Sequence, residues 1–251
     1  MKAMILAAGL GTRLRPLTHD LPKALLPVNG RPLIQYTLLL LKKYGITDVI
    51  INLHHQGQKI MDVLESGSGL NMKISYSHEP DILGTGGGIK KVWRLLSDGT
   101  FLVINSDILV DINLDKVVEF HKRKKAIATL VLREDIDADS WGAVEIDLKD
   151  RVRQILGQPP CRKQGLIRRM FTGIHVMEPR VLGYMPASGS FSIIDVYLDM
   201  IRQNERIVGY TMKGYWMDLG TLERYHKAQE DLKRGDVQFG YLKKVNPSAT
   251  G

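Results

Sequence analysis

A single cysteine, Cys161, stands in a chain of 251 residues, and that scarcity excludes an internal disulfide and any cysteine-rich metal centre. It also fits a reducing compartment. No apolar run reaches the length of a membrane span, and the N-terminus enters a strand without a leader's apolar segment or cleavage site, so the expectations are no membrane and a cytoplasmic location. No low-complexity linker divides the chain, and neither an internal repeat nor a hexapeptide β-helix is present. Lys and Arg number 35 against 27 Asp and Glu, a formal excess of +8. These cations are dispersed, apart from His121 to Lys125 (HKRKK) and Arg162 to Arg169, and they are not interleaved with aromatics in the way that stacks single-stranded bases. Small anionic substrates explain the charge, and no nucleic acid is expected.

What is present is enough apolar residue, 44%, to bury one sizeable core. Strand patterns alternate with helical ones through the first half: strands at 3–8, 48–53, 73–77 and 101–105, helices at 32–44, 56–66, 89–96 and 114–124. This βαβ rhythm predicts a mainly parallel sheet covered on both faces, with ligands beyond the carboxyl ends of its strands. HKRKK then ends a helix, its cations complementing the dipole and facing solvent. After Ala126 the strands shorten, at 127–132, 142–147, 151–156 and 171–177, which predicts an antiparallel or mixed subregion. A helix at 192–202 opens with a capping pattern, Ser192 with Asp195. Strands at 207–211 and 215–217 lead to a last helix at 221–233, capped by Thr221, where Glu223 and Lys227 can pair. The residues after Gly235 read as a loose tail.

The chemistry concentrates in Gly9 to Leu26, GLGTRLRPLTHDLPKALL, directly after the first strand. Glycines there let backbone N–H groups close on phosphate oxygens, while Arg13 and Lys23 supply opposing charge. A dinucleotide fingerprint would need a glycine at Leu14 and a helix at once, but Pro16 and Pro22 hold an extended loop; a Walker A ending is absent. Phe101 to Asp107 (FLVINSD) drives a strand into a polar terminus, placing Asp107 at the same sheet edge. A carboxylate beside a triphosphate calls for Mg²⁺. Asp218, in YWMDLGT, occupies an equivalent strand exit, so the two could converge on one ion. Asp111 fits a turn or helix-capping role better. Gly84 to Gly88 (GTGGG) reads either as a second set of unhindered amides or as a hinge.

In order, AAGLGTRLRPLT, PKALLPVNGRPLI, EPDILGTGGGI, NSD, the glycine of WGAVE, FTGIHVMEP and WMDLGT resemble the sugar-1-phosphate nucleotidyltransferases, or nucleotide-sugar pyrophosphorylases, up to about Leu232. Among subfamilies the chain looks most like mannose-1-phosphate guanylyltransferases and N-acetylmuramate-1-phosphate uridylyltransferases. The resemblance implies an α/β, Rossmann-like, mostly parallel sheet flanked by helices, the nucleotide-diphospho-sugar transferase fold, with a smaller antiparallel sugar-binding subregion. It implies a single domain, 1–235, divided near 125 into nucleotide-binding and sugar-binding halves, with a tail at 236–251. A nucleoside triphosphate and a sugar 1-phosphate would give a nucleotide sugar and pyrophosphate.

By position, the resemblance gives Ala8, Gly9, Gly11 and Thr12 to the nucleotide, with Gly86 and Gly87 flanking the base. It gives Arg13 and Lys23 the reacting phosphates, Asp107 and Asp218 the Mg²⁺, and Gly142, Thr172 and Gly173 the sugar pocket. The family's Glu-Lys pair is replaced here by Gly157 and Gln158, and Arg162, Lys163, Arg168 and Arg169 are candidates to restore the lost charge. That departure leaves room for a cytidylyltransferase using a non-sugar phosphate such as choline phosphate. A non-catalytic nucleotide-sugar-binding regulator is a further alternative, opposed by the presence of Lys23 and both aspartates. Homo-oligomerisation is compatible with this reading.

Overall fold

A computed structural model describes residues 1–135 and 142–242. Strand β1 (Lys2–Leu6) is flanked on one side by β4 (Asp48–Leu53) and then β5 (Lys73–His78), and on the other by β6 (Phe101–Asn105), all parallel. The chain therefore winds outward from β1 through β4 and β5 before returning to the opposite flank with β6. The strand order thus reverses between β1 and β6, the arrangement that sets a ligand crevice at their carboxyl ends.

Both faces of this sheet are covered, as the strands' composition predicts. In β1, Ala3 and Ile5 pack into a core containing Leu33 and Leu41 of α1 (Leu33–Lys43), while Met4 faces the opposite core with Ile89 of α3 (Gly84–Lys91). That second core also takes Tyr197 and Met200 of α6 (Ile193–Arg202). Burying each such aliphatic side chain contributes roughly 2 kcal/mol, so a shift of register by one residue would lose both faces together. The helix between α1 and α3 is α2 (Gly57–Leu64); α4 (Trp93–Leu96) follows α3, and α5 is Leu114–Lys124.

The sheet becomes mixed in the second half. Strand β11 (Ile167–Met177) runs antiparallel to β6, to β8 (Ala128–Arg133) and to β9 (Ala143–Ile146), which pairs with β10 (Val152–Ile155). Strand β12 (Ile207–Thr211) lies parallel to β8. Two small ladders were absent from the sequence reading: β2 (Pro27–Val28) with β3 (Arg31–Pro32), and β7 (Ile108–Val110) with β13 (Trp216–Asp218). The last helix, α7 (Leu222–Arg234), is capped by Thr221, whose hydroxyl accepts from Arg224 N–H.

Several local expectations need correction. The side chain capping α5 is Asn113, accepting from Lys116 N–H, rather than Asp111. His121 does not face solvent with the rest of HKRKK: it is buried, its ring nitrogens on Thr129 Oγ1 and Glu178 Oε1 at 2.8 and 2.9 Å. Lys227 pairs with Asp231, not Glu223. The segment after Gly235 is not loose throughout, because Phe239 is buried against Tyr36 and Tyr215, Tyr241 stacks on Phe239, and Tyr241 donates to Val110 O. The final residues, 243–251, lie outside the described residues.

Candidate active site

The loop after β1 is folded by its own short polar residues. Gly11 adopts φ +63, a conformation that a Cβ would strain, and a Cβ there would press on Thr18 Cγ2 at 3.1 Å and Lys23 Cβ at 3.3 Å. Thr18 donates its hydroxyl to Gly11 O at 2.8 Å. This clasp brings Lys23 back beside the glycine turn that began twelve residues earlier, while buried Leu14 anchors the turn Thr12–Leu14 and leaves Arg13 exposed.

Lys23 Nζ reaches Asp107 Oδ2 at 2.5 Å. The second aspartate arrives by the β7–β13 ladder: Asp218 is registered opposite Ile108, and Leu219 N–H donates to Asp107 O at 2.9 Å. Two carboxylates separated by more than a hundred positions thus leave adjacent strands at one edge. Burial raises the Asp218 pKa above its ordinary value, and the Asp107 charge raises it further, against the pull of Lys23 and Arg224. Asp218 Oδ1 accepts from Gly220 N–H at 2.7 Å and from Arg224 Nη2 at 3.1 Å. A Cβ on Gly220 would stand 3.1 Å from guanidinium nitrogens of both Arg13 and Arg224, so Arg13 reaches the same turn. Asp107 Oδ1 is buried and has no hydrogen-bond partner among the described residues. An acceptor left without a donor in so basic a setting suits a cation.

Beside these groups lies a cavity of about 220 Å³ lined by Ala8, Gly9, Gly84, Thr85, Asn105 and Asp107, among others. Of these six, Ala8, Gly9, Asn105 and Asp107 stand at or just beyond the carboxyl ends of parallel strands, as the crevice rule requires. Asn52 and Glu79, which also line it, were missed in the sequence although each stands at or just beyond the end of a strand, the only signal available. They form a buried relay: Asn52 Oδ1 accepts from Ala7 N–H at 2.8 Å, Asn52 Nδ2 donates to Glu79 Oε1 at 2.8 Å, and Glu79 Oε2 accepts from Leu83 N–H at 3.0 Å. The glycine loop and the start of α3 are thereby held at a fixed spacing.

Gly86 and Gly87 do not line that cavity. A Cβ at Gly86 would meet the Phe191 ring at 2.5 Å, and one at Gly87 would meet Gly189 O at 2.5 Å. Their missing side chains admit the 189–193 segment against α3, and the cavity wall is Gly84 and Thr85 instead. Of the sugar-pocket candidates, Gly173 touches the site: it has φ +80 and a Cβ there would fall 2.5 Å from Asn105 Nδ2. Thr172 is engaged structurally, its hydroxyl donating to Val131 O and its carbonyl accepting from Trp216 Nε1. Gly142, at φ +102, lies against Leu156, so it sits beside the turn that carries Gly157 and Gln158. Among the basic candidates, Lys163 is turned to Asp147 at 2.7 Å, and Arg169 Nη1 donates to Arg168 O.

A model of nucleotidyl transferases matches residues 2–235. The chain is 34% identical to N-acetylmuramate alpha-1-phosphate uridylyltransferase of Neisseria meningitidis, over 91% of this chain and 97% of that protein. It is 33% identical to mannose-1-phosphate guanylyltransferase of Mycobacterium tuberculosis, over 93% of this chain, and spans only 65% of that longer protein. A solved Bacillus anthracis structure, bearing the name glucose-1-phosphate thymidylyltransferase and holding sucrose, superposes with a TM-score of 0.82 at 26% identity over 96% of this chain and 97% of its own.

Proposed function

Because the chain belongs to the nucleotidyl transferase family, we propose that it joins a nucleoside triphosphate to a sugar 1-phosphate, releasing pyrophosphate. A phosphate oxygen of the sugar 1-phosphate attacks the α-phosphorus; the bond from that phosphorus to the β-phosphate oxygen breaks, and its electron pair leaves with pyrophosphate. The nucleophile is already an anion, so little general-base work is required. Catalysis becomes positioning and neutralisation of charge.

Ala8, Gly9, Gly11 and Thr12 would hold the nucleotide, with Gly84 and Thr85 closing the far wall. Arg13 and Lys23 would receive the phosphates, Lys23 exchanging its Asp107 partner for substrate oxygen. Gly142 and Gly173 would leave room for the sugar. Asp107 and Asp218 would hold Mg²⁺, a donor set of two carboxylates being the number this ion takes alongside phosphate oxygens and water. Bound Mg²⁺ supplies charge neutralisation on the triphosphate. The observation that supports the reading most is the register of β7 on β13, which brings both aspartates to the Lys23 and Arg13 loop. No helix among the described residues is long and apolar enough to cross a membrane, and a cytoplasmic location completes the proposal.

The test is a matrix of nucleoside triphosphates against sugar 1-phosphates, with choline phosphate as a further acceptor, read by pyrophosphate release in Mg²⁺. Release with at least one sugar 1-phosphate is expected. Release with choline phosphate alone would convert the assignment to a cytidylyltransferase-like enzyme, and tight nucleotide-sugar binding without release would make the protein a binding regulator.

A further inference from the structure

A concentration of positive charge lies away from the catalytic edge. Lys124 ends α5, Lys149, Arg151 and Arg153 belong to the β9–β10 hairpin, and Arg206 immediately precedes β12; all line one groove of about 560 Å³ in which Asp147 is the single carboxylate among the described residues. Lys124 and Arg206 enter the sheet at the amino ends of β8 and β12, the end opposite to that at which β6 delivers Asp107. This groove is therefore separate from the site described above.

The acids nearby are already taken. Asp147 is buried and accepts from Arg153 at 2.6 Å, from Lys163 at 2.7 Å, and from the N–H groups of Lys149 and Arg151. Burial opposes ionisation of this carboxyl, but the hydrogen bonds from Lys163, Arg153 and the backbone outweigh it and hold the pKa well below the usual carboxylate range. Asp150 pairs with Lys124 at 2.7 Å. Lys149 and Arg206 have no carboxylate partner among the described residues; Arg206 donates to Lys124 O. Arg151 is locked by acceptors that carry no charge, Asn204 O and Oδ1 and Glu205 O. Burial, and then the like charges of Arg153 and Arg206, pull its pKa below the ordinary value.

Cations drawn from three separate segments into one concavity repel one another, and that repulsion is relieved by an oxyanion accepting from several of them at once. The groove's volume lies in the range of small-molecule sites. Among the described residues its lining contains no aromatic ring, so these offer no platform for stacking the bases of a nucleic-acid strand.

We propose that this groove is a second anion site, one that binds a phosphorylated small molecule through Lys149, Arg151 and Arg206. Asp147 acts there as a positioning residue, fixing the hairpin turn through two backbone N–H groups and orienting Arg153.

The proposal is tested by titrating inorganic phosphate and fructose 1,6-bisphosphate into the full-length protein while following amide resonances. Reporters for the groove are Lys149 and Arg151, bonded to Asp147, and Gly209, whose N–H donates to Asp150 O; Leu219 and Gly220 report on the catalytic edge. Saturable shifts of the groove reporters are expected, tighter for the bisphosphate and weakened by added NaCl. The double variant K149A/R206A removes two exposed cations and should raise the groove's apparent Kd on the order of 100-fold, with the Leu219 and Gly220 responses and pyrophosphate release unchanged. Groove reporters that stay still up to the solubility of both probes would overturn the proposal, as would shifts undiminished in the double variant. A response to single-stranded RNA with none to either small phosphate would also overturn it, assigning the surface to nucleic acid.

Discussion

Lys23→Ala is expected to lower turnover about 10²- to 10³-fold, the loss that follows removal of one preorganised donor to charge developing in a transition state. The argument rests on where the ammonium is held. Its side chain is only 12% exposed and sits 2.5 Å from Asp107, in a setting where water screens it poorly. It is brought there by the Thr18 clasp on Gly11 and by the short 3-10 turn Lys23–Leu25 that it opens. The fold should persist, because Lys23 is not among the residues that build the two apolar cores. Steady-state pyrophosphate release, with thermal melting as the control for folding, reads the outcome. A variant that melts normally and turns over like the parent removes Lys23 from the mechanism.

Asp107→Asn is expected to have an effect at least as large, and of a different kind. The substitution removes one of two negative oxygen donors and leaves the buried Oδ1 position without its charge. Half-saturation for Mg²⁺ should rise by an order of magnitude or more, because the ion dehydrates reluctantly and depends on carboxylate charge. Lys23→Ala should do the reverse to the metal. Deleting a cation 2.5 Å from Asp107 frees that carboxylate, so Mg²⁺ binding should be retained or tightened while turnover collapses. Titrations of Mg²⁺ against pyrophosphate release for the two variants separate the roles; a parallel weakening of metal binding in both would merge them into one electrostatic effect.

Much of this was legible in the residues. The strands at 48–53, 101–105 and 207–211 were read with the bounds found, because buried parallel strands carry apolar runs too continuous to mistake. The glycine loop, Lys23 and both aspartates were identifiable by type and by position after a strand. The β7–β13 ladder was not: a strand was read at 215–217, close to β13, but the three residues of β7, directly beyond a polar strand exit, give no period to detect, so the pairing had no signal. Yet that ladder is what makes Asp107 and Asp218 neighbours. Helix α3 begins at Gly84, earlier than propensity allows, since the glycines that weaken it as a helix admit Phe191 and Gly189 against it. Gly86 and Gly87, which the resemblance sets beside the base, are the glycines at which that close packing occurs. Asn52 and Glu79 went unnoticed because a polar residue at the end of a strand is ordinary until its partners are known.

Anomalous scattering from Mn²⁺, in crystals grown with a nucleoside triphosphate, addresses the pairing of the two aspartates most directly. A peak within ligand distance of both Asp107 and Asp218, on the side of the Arg13 and Lys23 loop, is the predicted result. A fully occupied ion bound to the triphosphate but out of reach of either carboxylate would contradict the account.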